Sequence, residues 1–287
     1  MRKWVMKSVL KVVAVLFSMM LTGSMAHAIP VTDGLVAYWN FNGNGNDLSG
    51  NHHQGTLHGN AAYLDTKFGK SLYLDGNGDY FTTPDASDLD FTTSFTMSLW
   101  AKPETLNGKG ALIDKWVRNG GNQRAYQFVV SDKRFLPEIN TTDGHQYYYS
   151  NSALVTGEWQ HLVLRYDNSD LSVFLNGKYH SGMQATGRIY NSSTQLTIGA
   201  QGGRAVNTAD SWFFNGFIDE VKLYDTALTN EQIFQDYEHD ITAPVPEPGT
   251  MVLLGGGLIG LAMVLRKKYP AGAAGRGRGR ICLTPLT

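Results

Sequence analysis

The chain has 287 residues, with 24 Lys and Arg, 25 Asp and Glu, and one cysteine, Cys282. A single cysteine excludes a disulfide framework, and the near-neutral total excludes a strongly basic nucleic-acid binder. The total hides an asymmetry: four bases precede residue 12 and six follow Leu265, leaving 14, whereas Glu247 alone among the acids lies outside residues 29–244. That stretch of 216 residues therefore carries ten more acids than bases. Such a charge repels nucleic acid and anionic lipid and suits calcium, and the length fits one large all-β domain.

At the start, Arg2, Lys3, Lys7 and Lys11 lead into the apolar run Val12–Leu21, followed by Ala26-His27-Ala28. A basic leader, a short apolar core and small residues at Ala26 and Ala28 predict a secretory signal peptide over residues 1–28, cleaved on export.

Strand signals then recur. Phe95, Met97 and Leu99 alternate with Thr96, Ser98 and Trp100, and Leu162, Leu164 and Tyr166 alternate with His161, Val163 and Arg165. Both have the period of two that predicts half-buried strands. Leu171, Val173 and Leu175 run into Asn176-Gly177 and then Lys178-Tyr179-His180, a hairpin signal because both turn positions need positive φ. Further strands are predicted at Gln195–Gly199 and Ile218–Tyr224. Many short strands among Gly, Asn and Asp favour a β-sandwich. One helix is predicted near the end, where Thr229-Asn230-Glu231-Gln232 forms a capping box ahead of Ile233, Phe234 and Tyr237.

Two kinds of candidate site stand out. Trp116, Tyr147, Tyr149 and Trp212 lie in polar or Gly-rich surroundings, where aromatic rings stack on sugars; ordinary packing is the competing reading for each. Asp219 is in phase with Val221 and Leu223, so it is expected on the core face, with Glu220 and Lys222 facing solvent. A carboxylate there must be paired, hydrogen-bonded or on a metal. His52, His53 and His58 lack a second ligand cluster and are expected as solvated loop histidines. The chain has no His-Glu-x-x-His, Gly-x-Ser-x-Gly or phosphate-loop motif.

The end of the chain reads Pro246-Glu247-Pro248, an uncharged apolar run Met251–Leu265, then Arg266-Lys267-Lys268. As a helix the run spans about 22 Å, and with snorkelling basic stems it approaches a bilayer core of about 30 Å. A transmembrane segment is predicted at 251–265, with the basic cluster on the cytoplasmic side. A Gly/Arg tail, 269–287, follows.

The two ends resemble the PEP-CTERM sorting signal of Gram-negative bacteria, matched by Pro246-Glu247-Pro248, the apolar run and Arg266-Lys267-Lys268 at residues 245–268. The resemblance implies export, handling by an exosortase and a membrane contact that processing makes transient. The tail at 269–287 departs from it, because the signal normally ends within a few residues of its basic cluster. The domain resembles the laminin G-like, concanavalin A-like jelly rolls. Nine stretches match in order, among them Leu35–Phe41, Asp47–Asn51, Phe68–Leu72, Ser94–Trp100, Gly157–Leu162 and Phe214–Val221. This implies an all-β jelly-roll sandwich over 29–244. In related sandwiches a late-strand carboxylate helps hold a structural calcium with N-terminal loop groups, which here would be Asn42, Asp47 and Asp219; capping of backbone amides by Asp219 is the alternative. Jelly-roll glucanases carry Glu-x-Asp-x-x-Glu on one strand, and aligning its Asp on Asp219 puts Phe217 and Lys222 at the Glu positions, so that catalytic set is absent. The sequence therefore predicts a non-catalytic envelope or matrix protein that binds polysaccharide and not nucleic acid. An adhesin for a protein partner and a polysaccharide hydrolase or lyase are the alternatives.

Overall fold

Alternating apolar residues with turn residues between them give strands that can bury only one face, so two sheets must pack together. A computed structural model of the chain describes residues 30–117, 123–202 and 211–242. The strands are β1 (Leu35–Trp39), β2 (Thr56–His58), β3 (Ala62–Thr66), β4 (Gly69–Asp75), β5 (Tyr80–Thr83), β6 (Phe95–Pro103), β7 (Lys109–Trp116) and β8 (Arg124–Ser131). There follow β9 (Arg134–Thr141), β10 (Gly144–Tyr147), β11 (Gln160–Tyr166), β12 (Asp170–Leu175), β13 (Lys178–Gln184), β14 (Leu196–Ile198), β15 (Asn215–Tyr224) and the helix α1 (Asn230–Thr242). An eight-stranded sheet runs β13-β12-β11-β6-β15-β4-β3, with β1 also paired to β15. A seven-stranded sheet runs β10-β9-β8-β7-β14-β5-β2.

The inner faces interdigitate as the alternation requires. Met97, Leu99, Leu162, Leu164 and Val173 from one sheet join Ile113, Tyr126, Phe128, Phe135 and Ile139 from the other in one buried cluster. Aromatic rings seal one end: Phe91 lies 5.6 Å from Phe95 and 5.3 Å from Tyr126. Lys115 also points inward, opposite Tyr126. Its ammonium is fully buried, and Asp85 and Asp90, each 2.7 Å away, supply the counter-charge a buried cation needs.

The hairpin and helix signals are realised. Asn176 and Gly177 take φ of 50° and 74° between β12 and β13. The Gln232 amide donates to Thr229 Oγ1 at 3.2 Å and the Thr229 amide donates to Gln232 Oε1 at 2.8 Å, the reciprocal pair of a capping box.

The expected phase of β15 holds from Val221 to Leu223 and is overturned at Asp219. Asp219 pairs with Trp100 and Lys222 with Ser98, so three steps on β15 oppose two on β6: a bulge. Glu220 occupies it with φ of 48°. The extra residue shifts the alternation, so Ile218 and Val221 both reach the core while Asp219 and Lys222 lie on the outer face of the eight-stranded sheet. Neither faces solvent, because that face is covered around them. α1 packs there, Tyr237 stacking on Trp100 with centroids 5.6 Å apart. The histidine expectation also changes: His53 is buried with Nε2 2.9 Å from Asp88, and His58 stacks on Tyr80.

The predicted signal peptide, the sorting motif, the transmembrane segment and the tail lie outside the described residues. Among those described, no helix is long and apolar enough to cross a membrane.

Candidate functional site

The four aromatic candidates share one surface. In the seven-stranded sheet the residues alternating with the core point outward, and the register lines them up across strands. Thr197 pairs with Asp114, Asp114 with Gln127, Gln127 with Glu138 and Glu138 with Tyr147, a polar row from β14 to β10. Ala111, Val129 and Leu136 form an apolar row beside it, on which Trp212 packs. Trp116 pairs with Arg124 at one end, and Lys109, Ser131 and Arg134 pair at the other.

The rings differ in availability. Tyr147 and Tyr149 are 50% and 43% exposed. Trp116 is only 3% exposed, so it offers no free ring face and acts as packing. His145 lies 5.1 Å from it and stacks on Tyr147 at 4.8 Å. Trp212 is half-buried with φ of 42°, a left-handed conformation that a bulky residue adopts only when its surroundings enforce it. Its carbonyl accepts the Ala111 amide at 2.8 Å, which fixes the backbone and lays the indole on the apolar row.

Charged groups missed by the sequence reading lie among these rings. Lys109 Nζ sits 4.0 Å from the Trp212 centroid, the Arg134 guanidinium 4.8 Å from Tyr149 and that of Arg124 5.5 Å from Trp116. Each distance falls within cation–π range. Glu138 meets His145 Nε2 at 2.9 Å. Asp114 is fully buried: Oδ1 accepts the Gly202 amide at 2.9 Å and the Trp116 amide at 3.1 Å, while Oδ2 and the neighbouring Thr197 hydroxyl have no hydrogen-bond partner among the described residues. Burial pushes its carboxyl pKa well above the usual range. Gly202 is required there, since a Cβ would come 2.2 Å from Thr197 Oγ1. The strand alternation of β8, with Gln127 and Val129 set against Phe128 and Val130, was the signal that could have found this face.

The proposed calcium ligands are placed as follows. Asp47 accepts four hydrogen bonds within its own loop and strand, from the Tyr38, Ser49 and His53 amides and the Ser49 hydroxyl. Burial works against its charge, but the amides hold its pKa below the usual carboxylate range. Asn42 Oδ1 accepts the Lys70 amide and Asp219 Oδ2 accepts the Ser71 hydroxyl, so these two reach successive residues of β4. Asp219 Oδ1 accepts the Glu220 amide, and burial raises its pKa well above the usual value. Among the described residues the metal-sized group of His and acidic side chains is His161, Asp236 and Asp240, which includes neither Asp47 nor Asp219. A cavity of about 270 Å³ lined by Ser87, Asp88, Asp90, Phe91 and Asp225 holds none of the aromatic candidates.

Residues 75–234 match the concanavalin A-like lectin/glucanases superfamily, and residues 244–268 match the PEP-CTERM protein-sorting motif. The chain belongs to that superfamily, as its two-sheet jelly roll requires, and carries at its C-terminus the motif that directs export to the envelope and processing by an exosortase. Human usherin is 28% identical over 167 residues, which is 56% of this chain but 3% of usherin. Domain 4 of AbnA, a GH43 extracellular arabinanase from Geobacillus stearothermophilus solved with arabinotriose, has 23% identity, TM-score 0.54 and coverage of 71% of this chain and 98% of that one. The ligand-binding domain of botulinum neurotoxin serotype D, solved with N-acetylneuraminic acid, has 13% identity, TM-score 0.56 and coverage of 74% and 52%. The binding domain of Paraclostridial Mosquitocidal Protein 1 has 15% identity, TM-score 0.58 and coverage of 72% and 52%. These structures share the fold.

Proposed function

We propose that the exported domain is a non-catalytic polysaccharide-binding module and that its site is the outer face of the seven-stranded sheet around β9 and β10. One observation carries the reading. Tyr147 and Tyr149 leave about half their surface in solvent, beside Glu138 and His145 on one side and Arg134 on the other. Exposed rings beside hydrogen-bonding groups suit a sugar, whose faces are apolar and whose edges are hydroxyls. The arabinotriose and N-acetylneuraminic acid bound by two structural neighbours are in keeping with it. The non-catalytic reading rests on the carboxylates of this face. Asp114 is sealed from solvent, and Glu138 is buried against His145, so neither is set to protonate or attack a bound glycoside.

The experiment is co-sedimentation of residues 29–244 with the producing organism's extracellular polysaccharide, followed by product analysis. Binding without shortened chains is expected. Bond cleavage would instead establish an enzyme, and capture of a protein alone an adhesin.

A further inference from the structure

We propose that the polysaccharide taken by this face is anionic, its acidic groups pairing with Arg134 and Lys109; this rests on the polysaccharide-binding reading above. The domain as a whole is acidic, yet the outward charged positions of β7 to β10 run the other way. They are Lys109, Arg124 and Arg134 against Asp114 and Glu138. Asp114 is sealed from solvent with Oδ1 on two backbone amides, and Glu138 is buried with His145 Nε2 2.9 Å away. The remaining outward positions of the sheet, Thr56, His58, Tyr80, Thr82 and Thr197, add no carboxylate. A cationic strip therefore lies on these strands of an acidic domain, and the exposed Asp132 and Lys133 of the β8–β9 turn beside it add one charge of each sign.

The cations are also held in place. Lys109, Ser131 and Arg134 are register partners on three successive strands, so the two bases stand two strand spacings apart, about 9.5 Å. Lys109 lies over Trp212 and Arg134 over Tyr149, and neither forms an ion pair among the described residues. A guanidinium held against a ring loses less freedom when it binds, and its planar fork of donors suits a carboxylate or sulfate, which it takes in two parallel hydrogen bonds. The exposed Tyr147 and Tyr149 supply the ring contact next to it. A neutral glycan uses the rings and leaves the cations unpaired, whereas an acidic one uses both. Single-stranded nucleic acid, the other polyanion that stacks on aromatic rings, is the competing occupant that the test separates.

The test is affinity electrophoresis of residues 29–244 in gels holding polygalacturonate, dextran sulfate, dextran, arabinan or single-stranded DNA. We expect retardation by polygalacturonate, dextran sulfate or both, which separates carboxylate from sulfate recognition, and none by the neutral gels or DNA. Retardation should weaken steeply with salt and at least tenfold in Arg134→Gln, less in Arg134→Lys, and not at all in Lys178→Gln on the other sheet. If Arg134→Gln melts early, Lys109→Gln serves as the independent variant. Equal retardation by dextran or arabinan, insensitive to salt and to both variants, overturns the anionic preference while leaving polysaccharide binding intact. Retardation by no glycan overturns both, and retardation by DNA alone reassigns the strip.

Discussion

Lys222 on β15 and Asp236 on α1 meet at 2.8 Å beneath the helix, and neither side chain is more than 7% exposed. Asp240, one turn on, lies 2.6 Å from the same ammonium. Burial disfavours each charge, but the two carboxylates raise the Lys222 pKa, and Lys222 and His161 hold Asp236 well below the usual range. The ammonium bridges Asp236 and Asp240, two of the three residues of the His161, Asp236 and Asp240 group. Lys222→Ala leaves two buried carboxylates without a counter-charge and should cost about 3–5 kcal/mol in chemical denaturation. A loss below about 1 kcal/mol contradicts the clamp. The sign of the pH dependence follows from the shifts. The depressed Asp236 contributes stability above the unfolded carboxylate pKa and loses it in strong acid; the raised Lys222 contributes below the unfolded lysine pKa and loses it as pH rises beyond.

Asp114 and Asp219 work in the opposite sense. Both folded pKa values are raised, so each stabilises the fold most below the unfolded carboxylate pKa, and that contribution is lost as pH climbs toward the folded value. Asp114→Asn should flatten the Tm–pH curve between mild acid and neutrality and raise Tm at pH 8. An unchanged slope would show that Asp114 is already ionised in the fold.

Asp219→Asn separates a proton from a calcium ion. An amide can keep both neighbours, accepting from the Glu220 amide and donating to Ser71, whose hydroxyl also meets Thr66 at 2.6 Å. Tm at pH 7 should then hold or rise, and EDTA should leave wild-type Tm unchanged. A fall of several degrees in both measurements assigns to Asp219 the calcium that the family resemblance implies.

The turn and the cap are tested at Gly177 and Thr229. Gly177→Ala puts a Cβ at positive φ and 3.0 Å from Phe234, so it should cost more than about 1 kcal/mol through both strain and the displaced helix. Thr229→Ala should cost about 1 kcal/mol by releasing one capped amide. Loss of neither amount would mean that α1 docks independently of the hairpin.

The elements set by short-range chemistry were legible in the chain: the alternation of Phe95–Leu99, the Asn176-Gly177 turn and the Thr229–Gln232 cap. What was not legible depends on register. Nothing in Ile218-Asp219-Glu220-Val221 marks Glu220 as a bulge, and the extra residue put Asp219 on the face opposite the one expected, the face that Lys222 shares. The site was half legible for the same reason. Trp116, Tyr147, Tyr149 and Trp212 stand out by type, but that Lys109, Arg124 and Arg134 lie over three of those rings follows only from cross-strand pairing. Burial of Trp116 was equally hidden, because its cover comes from His145 two strands beyond its β8 partner.

Whether Tyr147 and Tyr149 form a sugar-binding platform is tested by binding of the organism's extracellular polysaccharide to the exported domain and to its Tyr147→Ala/Tyr149→Ala variant. We expect wild-type binding, at least a tenfold loss in the variant, and matching Tm values, since both rings are half in solvent. Undiminished binding by a folded variant would contradict it.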